Sequence, residues 1–327
     1  MTVSQSETSK HGPNWERAGV AFGTGTTGGL DILTAIRSAR PSATRHGRRS
    51  TMLEHLGQSV SRHVVMFSGG IGSWATAKLV AEQHGTGELV LLFADTKMED
   101  EDTYRFIGAG AANVGGALVW LEDGRDIWQV FRDVRFLGNS RIDPCSRILK
   151  RELMRRWVDE HCDPAVTTVY VGIDWSEQHR ARRYAAFWHP YAVDCPLIRT
   201  TLAKTDMLAW AASEGLPEQR LYDWGFHHAN CGGGCVKAGQ AQFELLLRRM
   251  PERYAWWEEN EQVIRRELGK DITILRDRRI LNGREISTPI TLRAFRERLE
   301  AQPSLFDADE WGACACTEPS DDELKAA

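Results

Sequence analysis

Apolar and polar positions change their period sharply at His63. From there the chain reads HVVMF, an almost unbroken apolar run, then Ser-Gly-Gly, then SWATAKLVAEQH, in which Trp74, Ala77, Leu79 and Val80 recur at helical spacing. A short apolar run predicts a strand buried on both faces, and recurrence every three to four residues predicts an amphipathic helix. ELVLLFA is a second apolar run. Strand, turn, helix and strand thus follow within about 30 residues, the unit from which parallel sheets are built. GALVW at 116–120 and TTVYVGI at 167–173 predict two further strands, separated by SRILKRELMRRWVDEH, a helix with a strongly basic polar face.

Beyond Pro196 the pattern turns mostly helical, through LAKTDMLAWAASEG, AGQAQFELLLRR and PERYAWWEENEQVIRREL, before a short DITIL strand and an acidic tail. Residues before about 60 mix Ser, Thr and Gly with Arg37, Arg40, Arg45, Arg48 and Arg49 and show little sustained periodicity. The expected fold is α/β: a parallel twisted sheet of about five strands flanked by helices, with a helical C-terminal segment over the ligand cleft. The expected division is an extension at 1–60, a nucleotide-binding core at 61–200, a mostly helical segment at 201–305 and an acidic, cysteine-containing tail at 306–327.

Composition narrows the function. The 327 residues are 42% hydrophobic with a formal net charge of -4, enough for a substantial core and without the bulk positive charge of a general nucleic-acid binder. No stretch supplies the roughly 20 apolar residues that span a bilayer, and the first residues lack the apolar centre of a secretory signal. The expectation is a cytoplasmic protein without membrane contact. Seven cysteines, an odd count, point to thiols, a metal or a cluster rather than a disulfide framework.

Two glycine loops compete for a phosphate. Gly23, Gly25 and Gly28 fit G-x-G-x-x-G, but no second strand follows in the spacing that a dinucleotide site needs. Ser68-Gly69-Gly70-Ile71-Gly72-Ser73 lies between an apolar strand and a helix that Ser73 is expected to cap. Glycines there let backbone N–H groups approach phosphate oxygens, and the helix N-terminus adds partial positive charge. With no Lys before the Ser, it is not a Walker A loop. Cys231 and Cys235 flank three glycines, so both sulfurs can turn toward one ion, and Cys145 with Cys314 or Cys316 completes a four-thiolate set. Such a set suits a 4Fe-4S cluster or zinc, with buried thiols as the third reading, and Cys162 and Cys195 are assigned to packing.

SGGIGS resembles the SGG-x-D-S loop of PP-loop proteins, and later segments are similar to the phosphoadenosine phosphosulfate (PAPS) reductase-like branch in the same order. These are Phe93-Ala94-Asp95-Thr96, Asp143-Pro144-Cys145-Ser146 with Leu149-Lys150, Gly172-Ile173-Asp174 with Glu177 and Arg180, and the Asn230–Lys237 segment followed by Pro251-Glu252-Arg253-Tyr254. The resemblance covers about residues 62 to 265. It implies an adenine nucleotide, ATP or a relative, held by Ser68, Gly69, Gly70, Gly72, Ser73, Asp95, Gly172 and Asp174, with Mg2+ in the ATP case. It also implies Lys150, Arg180, Cys231 and Cys235 as reacting groups, and Cys145, Cys231, Cys235 and Cys316 as cluster ligands.

Two departures shape the implied activity. Gly72 stands where the ATP-pyrophosphatase pattern has Asp, and Cys314-Ala315-Cys316 replaces the Glu-Cys-Gly-His-type segment of PAPS reductases. The expected function is sulfonucleotide or sulfur-transfer chemistry. The alternatives are an ATP-pyrophosphatase that adenylates a nucleic-acid or small-molecule sulfur acceptor, and a nucleotide-binding module without turnover.

Overall fold

The computed structural model describes residues 62–139, 141–281, 284–301, 319 and 323–324. The expected N-terminal extension, its glycine decoy, Cys314 and Cys316 lie outside the described residues.

β1 (Arg62–Met66), α1 (Ile71–His84), β2 (Leu89–Asp95), α2 (Glu101–Val114) and β3 (Ala117–Glu122) form two successive βαβ crossovers. The chain then passes through α3 (Ile127–Asp133), α4 (Pro144–Ser146), a π-helical stretch at Arg147–Glu152 and α5 (Leu153–His161), and enters the sheet again on the far side of β1. There β4 (Thr167–Tyr170), α6 (Ala181–Trp188) and β5 (Ala192–Asp194) complete a parallel five-stranded sheet in the order β3-β2-β1-β4-β5. Side-chain alternation explains why the strands read as continuous apolar runs. Val65, Leu91 and Phe93 pack under α1 and α2, whereas Val64, Met66, Leu92 and Val169 pack under α5 and α6.

Helix boundaries follow local chemistry. Asp100 caps α2 by accepting the Asp102 N–H, and Gly115 ends it in the left-handed conformation. Asp126 and Gln129 form a reciprocal capping box on α3. The expected cap at Ser73 is corrected: the helix starts at Ile71 with Gly70 at its N-cap, and Ser73 lies in the first turn with Oγ donating to Gly70 O at 2.7 Å. The start falls earlier because Gly69 takes φ +80° and closes the turn immediately after the strand.

α7 (Lys204–Ser213) and α8 (Arg220–Asp223) lead to the Cys-Gly loop, followed by α9 (Gln240–Arg249) and α10 (Pro251–Leu268). A third apolar cluster joins α3 to this helical layer through Trp128, Phe131, Phe243, Tyr254 and Trp257. The strand expected over DITIL begins only at Leu275 and is the first arm of an antiparallel hairpin, β6 (Leu275–Leu281) and β7 (Arg284–Ile290). α11 (Leu292–Ala301) then packs Phe295 into the third cluster. Among the described residues, no helix is long and apolar enough to cross a membrane.

Candidate functional site

The crossover reverses direction between β1 and β4, so a crevice opens beyond their carboxyl ends, where open α/β sheets receive ligands. Met66–Ser68, Leu92–Ala94 and Val171–Ile173 form its floor, with Ser73, Lys150, Met154, Arg180 and Tyr184 around them. Lys150 and Arg180 are its cations, and no carboxylate lines it among the described residues.

The phosphate loop sits at one edge. Gly172 packs flat on it: a Cβ there would stand 2.9 Å from the carbonyl carbon and oxygen of Gly72 and 3.0 Å from Ser73 N. The loop's inner donors are partly committed. Ser73 and Trp74 N–H donate to Gly70 O, Gly70 N–H reaches Ser68 Oγ at 3.4 Å, and Ile71 N–H reaches the Tyr222 hydroxyl at 3.3 Å. Among the described residues the N–H groups of Gly69 and Gly72 have no acceptor. Hydroxyl partners rotate away at low cost, so four N–H groups can face an anion at this helix N-terminus.

Lys150 is 5% exposed and comes from the π-helical stretch, a widened turn that often marks functional positions. Its Nζ donates to Glu99 Oε1 at 3.4 Å. Glu99 is buried and takes two more donors, the Thr96 hydroxyl at 3.4 Å and Cys231 N–H at 2.6 Å. Arg180 is held by Glu177 at 2.5 Å. Asp95 and Asp174 are engaged locally: Asp95 Oδ1 accepts from Lys97 N–H and the Tyr104 hydroxyl, and Asp174 Oδ1 from the N–H and hydroxyl of Ser176.

Behind Lys150 lies the Cys-Gly loop. Cys231 adopts φ 54°, and its carbonyl accepts from Arg253 Nη2 at 3.2 Å. A hydrogen bond with Cys235 and complete burial push the Cys231 thiol well above the ordinary cysteine range, with Lys150 opposing and Glu99 reinforcing the shift. Cys235 Sγ accepts from Lys237 N–H at 3.4 Å. Lys237 Nζ pairs with Asp143 at 3.2 Å, which ties the Asp143–Ser146 segment to this loop. Asp143 also pairs with buried Arg151, whose guanidinium reaches Glu323 at 2.7 Å.

Cys145, Cys231 and Cys235 share one apolar cluster, while Cys195 and Cys162 belong to another, under α5 and α6. Among the described residues no group of three or more His, Cys, Asp or Glu is arranged to hold a metal. Cys316, the fourth ligand of the expected set, and its alternative Cys314 lie outside the described residues. Sequence reasoning missed Glu99 and Tyr222, which reach the site only through tertiary contact.

Residues 62–236 match the family model described as the phosphoadenosine phosphosulfate reductase domain. No curated protein matches the chain. Among solved structures, the PAPS reductase of Candida auris, determined as a phosphate complex, is similar at 16% identity and TM-score 0.35, over 50% of this chain and 78% of that one. The NH3-dependent NAD synthetase of Campylobacter jejuni, in complex with nitrate, is similar at 14% identity and TM-score 0.34, over 65% of this chain and 86% of that one. The family match alone spans more than half of the 327 residues, and the chain belongs to the phosphoadenosine phosphosulfate reductase domain family.

Proposed function

We propose that the chain is a PAPS reductase-like enzyme that binds an adenine sulfonucleotide in the crevice between β1 and β4, with residues 61–200 as its nucleotide core and 201–305 as its cover. The observation that carries this reading is the composition of the crevice wall: Ser68 and Ser73 at the two ends of the glycine loop, Lys150 and Arg180 line it, and no carboxylate does among the described residues. Two cations in a wall that no carboxylate lines, each braced from outside it by Glu99 or Glu177, suit a compact polyanion bound without a metal bridge. An ATP-pyrophosphatase that works through Mg2+ would call for a carboxylate there, and Gly72 removes the one that the PP-loop pattern supplies.

Reduction takes two electrons, and the neighbouring thiols of Cys231 and Cys235 can supply them. One thiolate attacks the sulfonucleotide sulfur; the S–O bond breaks, the nucleotide phosphate leaves, and an S-sulfocysteine forms. The second thiolate attacks the first sulfur, expels sulfite and closes a disulfide, which an external dithiol restores by exchange. Lys150 and Arg180 neutralise the charge that gathers on the leaving phosphate. Because the pair sits behind Lys150 and Cys231 is buried, the glycine loop must swing for sulfur to reach sulfur.

Nucleotide-product profiling under anaerobic conditions tests the reading. Sulfite and a nucleoside phosphate from PAPS or its 3′-dephospho analogue are expected with a dithiol present. Pyrophosphate from ATP would select adenylating chemistry, and tight binding without any product would select a binding module.

A further inference from the structure

The rim of the crevice beyond β4 carries a side chain that the phosphate and thiol chemistry leave unused. Gly172 packs on the phosphate loop, Ile173 lines the crevice, and Asp174 caps a 3-10 helix over Trp175–Arg180 by accepting the N–H and hydroxyl of Ser176. Arg180, at the other end of that helix, lines the crevice again. Trp175 therefore stands on a segment bracketed by crevice residues, with its Cα within about 7 Å of that of Ile173.

Its indole stands alone. At 52% exposure Trp175 is the most exposed tryptophan among the described residues. Every other described tryptophan packs on an aromatic ring or faces an arginine, whereas the Trp175 ring has no ring, cation or hydrogen-bond contact among the described residues. Leaving so large an apolar surface in water forfeits the stability that its burial would contribute. The neighbours Ser176, Gln178 and His179 are exposed and polar. A protein-docking surface needs a contiguous apolar patch, which one indole among polar side chains does not make. One indole does suffice to cover one planar ring.

The crevice asks for a ligand of that shape. Met66, Phe93, Met154 and Ile173 give it apolar lining, and Lys150 and Arg180 give it two cations, so it suits a molecule with a flat apolar part and an anionic part. We propose that Trp175 is the base platform of this site: its indole stacks on the purine of the bound nucleotide while the phosphate lies between the glycine loop and the two cations. Trp175 is thereby the residue that selects a nucleotide over a bare sugar phosphate. Stacking uses only the π-face, so the platform takes any purine and leaves the choice among purines to other contacts. The inference rests on the crevice being the nucleotide site and is indifferent to which bond the enzyme breaks.

Calorimetric titration of the full chain tests it by comparing AMP with ribose 5-phosphate, which carries the same phosphate and sugar without the base. Trp175→Ala should weaken AMP about 5- to 150-fold, the worth of one base on one aromatic side chain, and leave ribose 5-phosphate within about two-fold. Trp175→Phe keeps a platform and should recover most of the loss, and AMP should quench less tryptophan emission in it than in wild type. In sulfite release from PAPS, Trp175→Ala should raise KM at unchanged kcat. The side chain is exposed, so thermal midpoints should match wild type. Unchanged AMP affinity in Trp175→Ala overturns the proposal, and so does an equal loss for both probes, which would make the residue a brace of the rim. Wild type that binds AMP no more tightly than ribose 5-phosphate overturns it as well. A chain that binds AMP through Trp175 but releases no sulfite fails the reductase reading alone, whereas sulfite release with KM unchanged in Trp175→Ala fails this inference alone.

Discussion

Replacing Gly172 with Ala tests the contact that fixes the phosphate loop against the sheet. The new methyl would stand 2.9 Å from Gly72 C and O and 3.0 Å from Ser73 N, where ordinary contact begins at 3.4 Å. All three neighbours are backbone atoms of the loop and the first turn of α1, so no side chain can rotate to relieve the overlap. The loop must retreat by roughly 0.5 Å, and overpacking of this kind costs about 1–3 kcal/mol. At about 2–4 °C per kcal/mol, the thermal midpoint should fall by roughly 2–12 °C. The converse substitution is the control. A Cβ on Gly72 would meet Gly172 O at 3.5 Å and Leu197 Cδ1 at 3.9 Å, both ordinary contacts, and removing a glycine from a helix contributes about 0.4–1 kcal/mol of stability. Urea midpoints for both variants, with nucleotide titrated into each, read the two effects together. A ligand at about 100 times its Kd adds about 2.7 kcal/mol to the native protein, and Gly172→Ala should lose most of that increment. Gly172→Ala with the wild-type midpoint and the full nucleotide increment would refute the argument.

Lys150→Ala should weaken nucleotide binding about 10- to 100-fold by calorimetry, the worth of a charge-assisted hydrogen bond, with Lys150→Arg recovering part of it; a change under two-fold would place Lys150 outside the site. Cys231→Ser and Cys235→Ser should abolish sulfite release while nucleotide affinity stays within about two-fold, and Cys162→Ser should leave both intact; bound iron or zinc that Cys231→Ser removes would instead assign the thiols to a metal. Burial pushes Glu261 up to about 7 from an ordinary 4.5, although Ile274 N–H and Leu292 N–H both donate to it. The native state then holds a proton that the unfolded chain has released, so stability falls as pH rises from about 4.5 to about 7, by up to about 3 kcal/mol, and is flat below. Urea midpoints across that window should lose the slope in Glu261→Gln, and an unchanged slope would contradict the assignment.

The sheet was legible wherever strands are buried on both faces, because HVVMF and ELVLLFA are apolar without interruption and sit between helix-period segments. β5 was not, since three residues, Ala192–Asp194, are too few to show a period. The β6–β7 hairpin was hidden for a different reason. Its first strand, Leu-Arg-Asp-Arg-Arg-Ile-Leu, carries no period of two, and a ribbon packed at its base leaves little apolar signal. The loop from Ser68 and the two cations were readable from strand-turn-helix order and family likeness. Glu99 was not, because nothing local distinguishes it from the acids beside it in Met98-Glu99-Asp100-Glu101.

Glu99 nonetheless bridges the crevice and the Cys-Gly loop. One oxygen accepts from Lys150 Nζ, whose side chain lines the crevice, and the other accepts from Cys231 N–H, the first residue of the Cys-Gly loop. A nucleotide phosphate that draws Lys150 forward weakens its bond to Glu99 and leaves more negative charge on that carboxylate. Under the proposed chemistry, that charge would strengthen the hold on Cys231 N–H and disfavour the Cys231 thiolate until the loop moves. Movement of Cys231 out of its left-handed conformation, as the proposed reaction requires, would break the N–H bond, separate the sulfur from Glu99, and free Lys150 to shift between carboxylate and phosphate. The three glycines would supply that freedom where Arg253, Phe226 and Trp257 press so closely that a Cβ would overlap them. Glycine at 232–234 is therefore required by the packing of the loop, and the proposed thiol chemistry would require it a second time, for the swing that brings sulfur to sulfur.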